Sequence, residues 1–286
     1  MEKKRTMKKT VIVTLSVLLL LMLSLVGIAT AYNDTYTHYL YQQEGDPPTI
    51  DGTYIVDAEW LPSGPAYFDG SNTTGFHDYW VMTPNLYCCL IDVADNTTDA
   101  ADKLIICFDG TAEGGDTQPD GGANPTEYDK KLEITGHGVS ATVEWFKGDG
   151  SGWVTATASA ELLEYAQSLT STPKVEADHY VYELQFLKND DTSLGSPLVP
   201  YQWAQFVSYY DDDTGETQQW PPADATPAGD PDNPDSWGYI PYAMGANPTP
   251  DIPEGISIIA ILALSSAAAA GTILIRKRTK LVVRPV

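Results

Sequence analysis

Carboxylates are the residues of this sequence whose number and spacing could do chemistry. They concentrate in three turn-like segments, which place Asp at adjacent or alternate positions beside Gly, Asn or Pro. Calcium takes about six to eight oxygen ligands from flexible loops, and this spacing supplies several of them. None of the three segments has the full spacing of an EF-hand loop, and solvated acidic turns are the alternative. The predicted calcium ligands are Asp109, Asp116, Asp120, Asp211, Asp213, Asp230, Asp232 and Asp235.

Aromatic side chains are a second set with possible chemistry. Sandwich proteins that bind sugars present Trp or Tyr rings, because the C–H faces of sugars stack on them. Trp145 shares an alternating apolar face with Val143 and is expected in the core, whereas Trp153 shares its face with threonines. Ordinary packing is the alternative for every aromatic residue. The predicted carbohydrate-binding residues are Trp153, Trp220, which stands beside a Pro-rich segment, Trp80 and Tyr210.

Catalytic signatures are missing from the sequence. It contains no His-Glu-x-x-His, no phosphate-binding Gly-x-x-x-x-Gly-Lys and no Gly-x-Ser-x-Gly. The four His residues lie far apart, and the 38 acids within residues 32–254 make any carboxylate pair uninformative. We therefore expect a protein that is not an enzyme.

The three cysteines, Cys88, Cys89 and Cys107, have two readings. An exported protein permits disulfides, and one of the adjacent pair could face Cys107 on a neighbouring strand. The alternative is that all three are buried as small apolar residues. Thiolate metal binding has no support, since no Cys-x-x-Cys pair is present.

Charge is distributed unevenly along the 286 residues. Residues 32–254 hold 6 basic and 38 acidic side chains, a formal charge of -32, with no Arg. A nucleic-acid partner is excluded, because binding phosphates requires a basic surface. Repulsion within so acidic a segment gives bound cations a stabilising role.

Both ends of the chain predict a membrane topology. Residues 1–9 are basic, residues 10–28 are almost entirely apolar, and small residues follow, so we expect a signal peptide over 1–31. An uncleaved anchor is the alternative. The 20 residues 256–275 are apolar, long enough to span a bilayer, and followed by a basic tail over 276–286. We expect a single-pass protein of the cell membrane, with its ectodomain extracellular and its tail cytoplasmic.

The segment between the two ends has the patterns of strands. Apolar runs bounded by Asp, Asn and Gly, and alternating segments, predict strands over residues 86–93, 103–109, 139–146, 153–159 and 179–187. The turn 147–152 joins two of these strands into a β-hairpin. Only residues 160–169 have the pattern of a helix.

The predicted fold class is all-β. We expect an antiparallel, jelly-roll-like β-sandwich ectodomain over residues 32–242, as one domain, with one C-terminal transmembrane helix. Nine of the 20 prolines fall within residues 221–253, and Pro cannot donate to a sheet. Residues 243–254 are therefore expected to form a stiff stalk between the sandwich and the membrane.

Several short motifs follow one another in the order of a known family. They are Ile50-Asp51-Gly52 with Trp60, the strand from Leu86, the strand around Glu183, and Trp237-Gly238. Together they resemble the family-9 carbohydrate-binding module and the related DOMON-like sandwiches, over residues 48–240. The resemblance implies sugar binding through stacked Trp and structural calcium, without fixing which Trp residues correspond. The Pro that usually follows the strand with the internal Glu is absent here.

The C-terminal segment has a second resemblance. The order Pro253-Glu254-Gly255, apolar helix, basic cluster resembles the tripartite sorting signals of archaeal surface proteins. It departs from them at Gly255, where an aromatic residue is usual, and in the extra tail 281–286. A plain membrane anchor is the alternative.

The sequence thus predicts a membrane-anchored cell-surface module that binds a surface glycan or polysaccharide and holds Ca²⁺. A non-catalytic structural or adhesive envelope glycoprotein with no small ligand is the competing hypothesis. Glycosylation fits both, and the Asn-x-Ser/Thr acceptor sites are Asn33, Asn72 and Asn96.

Overall fold

A computed structural model describes residues 33–43, 46–54, 60, 66–68, 74–81, 86–110, 114–117, 123–156, 162–172, 175–187 and 202–243. No helix within these residues is long and apolar enough to cross a membrane. The predicted signal peptide, the stalk beyond Ala243, the transmembrane span and the basic tail lie outside the described residues.

Strands make up nearly all of the regular structure that is described. Two short 3-10 turns, Gly138–Ser140 and Pro234–Ser236, accompany them. The strands are β1 Asn33–Thr37, β2 Leu40–Gln43, β3 Ala66–Tyr67, β4 Gly75–Val81, β5 Leu86–Asp92, β6 Lys103–Asp109, β7 Asp116–Thr117, β8 Ala123–Asn124, β9 Asp129–Thr135, β10 Thr142–Gly148, β11 Trp153–Ala156, β12 Leu162–Thr170, β13 His179–Leu187, β14 Gln202–Asp211, β15 Glu216–Trp220 and β16 Gly238–Ala243.

The long strands form two sheets joined through one strand. The β6 sheet has the order β11-β10-β9-β6-β14-β16, with β15 also on β14. The β5 sheet has the order β2-β4-β5-β13-β12, with β3 on β4. Strand β16 pairs with β14 in the first sheet and with β2 in the second. Most pairs are antiparallel, as predicted, but β1–β16, β16–β2 and β2–β4 are parallel.

Apolar side chains from both sheets form the core. Leu90 in β5, Ile106 in β6 and Leu184 in β13 are 0% exposed. Strands β5 and β13 are buried on both faces. Because both lie inside the β5 sheet and neither faces water on one side, β5 reads as a continuous apolar run instead of an alternating one.

Most predicted strands are confirmed, and the predicted helix is wrong. Residues 86–92, 103–109 and 179–187 are strands, and Phe146 pairs with Thr155 in the predicted hairpin. Residues 160–169 are predicted as a helix, but β12 begins at Leu162, and its Tyr165 pairs with Leu184 of β13. Pairing with a neighbouring strand overrides the weak local preference of so short a segment.

Candidate functional site

The outer face of the β6 sheet carries a band of polar and aromatic side chains. Phe146 of β10 lies opposite Lys131 of β9, which lies opposite Cys107 of β6. On the inner face, Trp145 and Leu132 are almost fully buried in the core. The placement of Trp145 in the core confirms the prediction. The outer face is the one on which side chains of this sheet can meet a ligand.

Trp153 lies at the edge of this outer face, at the start of β11. Its half-buried indole is parallel to the buried ring of Trp237, with 5° between the planes and 6.3 Å between the centroids. Its Nε1 donates a hydrogen bond of 2.8 Å to Oδ1 of Asp232. These two contacts fix the orientation of an indole that retains access to solvent.

Lys131 adds a positive charge next to this indole. Its Nζ lies 5.0 Å from the ring centroid of Trp153 and 5.0 Å from that of Phe146. The same ammonium is 3.0 Å from Oε1 of Glu133 and 3.7 Å from Oδ1 of Asp232. We call Trp153, Lys131, Glu133 and Asp232 the Trp153 platform. It combines an aromatic ring with hydrogen-bond donors and acceptors, as sugar sites do.

The other predicted carbohydrate-binding residues do not join this platform. The expectation that Trp220 is exposed is wrong, since it is 5% exposed and packs on Phe76 at 5.2 Å between centroids. The reason is that Trp220 ends strand β15, opposite Val207, on the core face of the sheet. Tyr210 is 37% exposed and lies opposite Lys103 on the outer face. Trp80 is in β4, and its side chain lies outside the described residues.

Asp109, one of the predicted calcium ligands, lies directly opposite Asp129 in the pairing of β6 with β9. Both carboxylates are 0% exposed, and Oδ1 of Asp129 has no hydrogen-bond partner in the described part of the chain. Their other oxygens accept hydrogen bonds, Asp109 from Gly114 N at 2.7 Å and Asp129 from Thr126 N at 2.5 Å. Burial, with the negative charge of Asp109, raises the pKa of Asp129 well above its ordinary value. The positive charge of the neighbouring Lys130 opposes this rise only in part.

The remaining predicted calcium ligands are spread over separate turns. Asp211 is buried and accepts hydrogen bonds from the amides of Asp213 and Thr214, while Asp213 is exposed. In the third turn, the exposed Asp230 accepts the amide of Asp232. The described residues therefore bring together no cation site from these two turns.

Asp235 contacts the segment that leads into the short strand β7, in which Asp116 lies. Asp235 accepts the amide of Gly115 at 3.2 Å, and burial raises its pKa. The side chain of Asp116, in β7, and all of Asp120 lie outside the described residues.

Buried His–Asp pairs are the feature that the sequence did not reveal. Nε2 of His137 lies 2.7 Å from Oδ2 of Asp102, and Nε2 of His38 contacts Oδ1 of Asp78. These partners are 35 and 40 residues apart in the sequence, and no local pattern links them.

A third pair joins Asp92 to His179, and His179 lines a cavity. Nε2 of His179 lies 2.8 Å from Oδ1 of Asp92, and its Nδ1 donates to the carbonyl of Ala177 at 2.7 Å. Burial opposes a charge on His179, yet Asp92 and this carbonyl together raise its pKa. The cavity, of about 260 Å³, is also lined by Asp95, Thr97 and Asp211.

Glu183 connects three of the motifs on which the family resemblance rests. Its Oε2 accepts hydrogen bonds from the amides of Asp51 and Gly52 at 2.8 and 2.7 Å, and its Oε1 accepts one from Trp60 Nε1 at 2.9 Å. Burial outweighs these three bonds and raises the pKa of Glu183 to about 7. The internal Glu of β13 is thus a structural residue that ties the segment around Gly52 to the sheet.

The three cysteines are free and buried. Burial raises the pKa of Cys88 to about 12 and raises the pKa of Cys89 and Cys107 well above the ordinary thiol value. Of the two readings of the sequence, the structure favours the one with buried thiols.

The acceptor sites for glycans differ in access. Asn33 is 4% exposed and its Nδ2 donates to the carbonyl of Pro227, so the folded chain does not present it for modification, contrary to prediction. Asn96 is exposed. Asn72 lies outside the described residues.

Comparison with known proteins gives similarity at the level of structure. No family model and no curated protein matches the sequence. Two solved structures of a family-9 carbohydrate-binding module from Caldicellulosiruptor kristjanssonii match, one in complex with cellotriose and one with glucose. Both are 16% identical to this chain, with TM-scores of 0.44 and 0.43. The matches cover 76% and 74% of this chain, and 98% and 100% of the solved chains.

Proposed function

We propose that this chain is a non-catalytic cell-surface module that binds carbohydrate at the Trp153 platform. The observation that supports the proposal is the solvent-accessible indole of Trp153, held in place by Trp237 and Asp232. A ring that is already oriented loses little freedom when a sugar stacks on it. Asp232, whose side chain is 69% exposed, supplies an acceptor beside the ring, and the largely buried ammonium of Lys131 supplies a donor, so that hydroxyl groups of a stacked sugar find partners of both kinds.

A glycan array with the full-length protein tests this function. We expect the Trp153→Ala variant to bind its best glycan about tenfold more weakly, since stacking on one ring contributes roughly 0.5–1.5 kcal/mol. The matched control is Tyr210→Ala, which removes an exposed ring from the same face outside the platform and should leave the affinity unchanged.

Two results would contradict the proposal. One is binding to no glycan at all, which favours the structural envelope glycoprotein. The other is a glycan whose affinity falls in the Tyr210→Ala variant and not in the Trp153→Ala variant, which places the binding surface elsewhere.

We also propose that Asp109 and Asp129 hold a calcium ion. Two facing, buried carboxylates with one oxygen unpartnered match the preference of Ca²⁺ for charged oxygen ligands. The bound ion would supply the positive charge that offsets their repulsion. Calcium should raise the melting temperature of the wild-type protein and not that of the Asp129→Asn variant; equal shifts in both proteins would assign calcium to other acidic groups.

Attachment to the membrane through residues 256–275 is the third part of the proposal. Its support is the length of this apolar segment and the basic cluster that follows it. Cell fractionation of the full chain and of a chain ending at residue 254 tests it. We expect the full chain in the membrane fraction and the shortened chain in the medium; both chains in the same fraction would contradict the anchor.

A further inference from the structure

Asp95, Asp102 and His137 form a buried cluster just before the start of β6. One ligand atom from each residue lies within 4.8 Å of the ligand atoms of the other two. Their exposed fractions are 3%, 1% and 6%. Each of the two carboxylates and the imidazole can bind a metal ion, and the three are close enough to share one.

Each of the three side chains is also held by a contact on a further atom. Nδ1 of His137 lies 3.2 Å from Oε1 of Gln167, Oδ1 of Asp102 accepts the amide of Asp212 at 2.9 Å, and Oδ2 of Asp95 accepts Tyr209 OH at 2.5 Å. Outer contacts of this kind fix the orientation of metal ligands. The orientations of the three side chains are therefore already fixed, with Nε2 of His137 at 2.7 Å from Oδ2 of Asp102.

The cluster contains two carboxylates and only one basic side chain. Among the described ion pairs, Asp102 has the imidazole of His137, and Asp95 has no basic partner. Asp95 accepts hydrogen bonds from Thr97 and Tyr209, which are neutral donors. A buried pair of carboxylates facing one imidazole retains at least one net negative charge, which a dication would offset.

We propose that Asp95, Asp102 and His137 bind a divalent transition-metal cation of the zinc class. The imidazole nitrogen distinguishes this site from a calcium site, because Ca²⁺ takes oxygen ligands whereas Zn²⁺ and its neighbours accept nitrogen. Asp95 of the cluster also lines the cavity of about 260 Å³, which is large enough to admit the ion. The site is separate from the Asp109–Asp129 pair and from the Trp153 platform.

Zinc binding by the full-length protein, without a histidine tag and in detergent, tests the proposal. After incubation with Zn²⁺ and desalting, metal analysis should find about one tightly held zinc per wild-type chain, as for a preformed site. The His137→Gln variant should bind zinc on the order of 100-fold more weakly, since even loss of an outer contact weakens metal sites 10- to 100-fold. Asp213→Asn, on the cavity rim, is the control and should retain the zinc. Equal zinc in wild type and His137→Gln would overturn the proposal.

A measurement on the wild-type protein keeps the test independent of whether the variant folds. X-ray absorption at the zinc edge should show one imidazole nitrogen among oxygen ligands at about 2.0–2.2 Å. Excess Ca²⁺ should leave this zinc in place. A zinc shell without imidazole, a shell with several imidazoles, or release of the zinc by Ca²⁺ would each contradict the assignment.

Discussion

A buried aspartate lies at each end of strand β6, and the two aspartates have different partners. At the start, Asp102 is buried beside His137 and accepts the amides of Asp99 and Asp212. At the other end, Asp109 is buried opposite a second carboxylate, Asp129, which has an oxygen without a partner. The carboxylates at both ends are equally buried, but the groups that they face differ. The carboxylate of Asp102 faces an imidazole and peptide donors, whereas Asp129 faces a second carboxylate, which helps to raise its pKa.

The largest effect expected from this comparison follows from removing the imidazole. His137→Ala leaves Asp102 as an uncompensated buried charge, and breaking a buried ion pair costs about 3–5 kcal/mol of unfolding free energy. Urea denaturation at pH 7 measures this loss. Val139→Ala, two residues away and fully exposed, should change the stability very little. A loss below about 1 kcal/mol for His137→Ala would mean that peptide donors alone sustain Asp102.

A loss of stability of intermediate size is expected at Glu183. Its carboxylate accepts hydrogen bonds from three N–H donors and has no cation as a partner among the described ion pairs. Glu183→Gln places an amide N–H₂ against one of these donors and should cost about 1–3 kcal/mol. Because burial raises its folded pKa from 4.5 to about 7, the folded state holds a proton that the unfolded state has lost in this interval. The wild-type stability should therefore fall as the pH rises from 4.5 to 7.

Urea denaturation at a series of pH values checks both parts of this prediction. The Glu183→Gln variant should lose the part of the pH dependence that lies in this interval. An unchanged pH profile would show that Glu183 does not take up the proton.

The smallest effect is expected at the Asp109–Asp129 pair, and its sign is opposite. In calcium-free buffer, Asp129→Asn removes one of two facing carboxylates and should stabilise the protein by about 1 kcal/mol at pH 8. The folded pKa of Asp129 is raised, so wild-type stability should fall with rising pH above its ordinary value of 3.8, and the variant should lose this dependence. Urea melts at pH 5 and pH 8 measure both.

Asp149→Asn is the control for this third prediction, because Asp149 is an exposed acid in the hairpin turn. Its substitution should not stabilise the protein at pH 8. A destabilised Asp129→Asn variant at pH 8 would show that the pair at this end is already compensated.

The sequence predicts the strands far better than the sites. Strands β5 and β6 are apolar runs bounded by Asp and Asn, and such local patterns are visible in one dimension. Trp220 could not be placed, because its burial depends on the pairing of β15 with β14. The His137–Asp102 pair joins residues at the ends of two strands, and the Asp109–Asp129 pair joins residues on those strands, so both pairs form only in the register of the sheets.

Strand β16, which belongs to both sheets, sets the order in which the fold can be completed. Asn33 of β1 pairs with Gly238 of β16, near the other end of the described sequence. Strand β2 pairs with the same strand. Contacts so distant in sequence form late, because a long loop must close first. During synthesis, the first strands therefore leave the ribosome long before β16, the strand with which they pair. Residues 32–254 carry a formal charge of -32, so partly folded chains repel one another. This repulsion reduces aggregation through the unpaired strand edges.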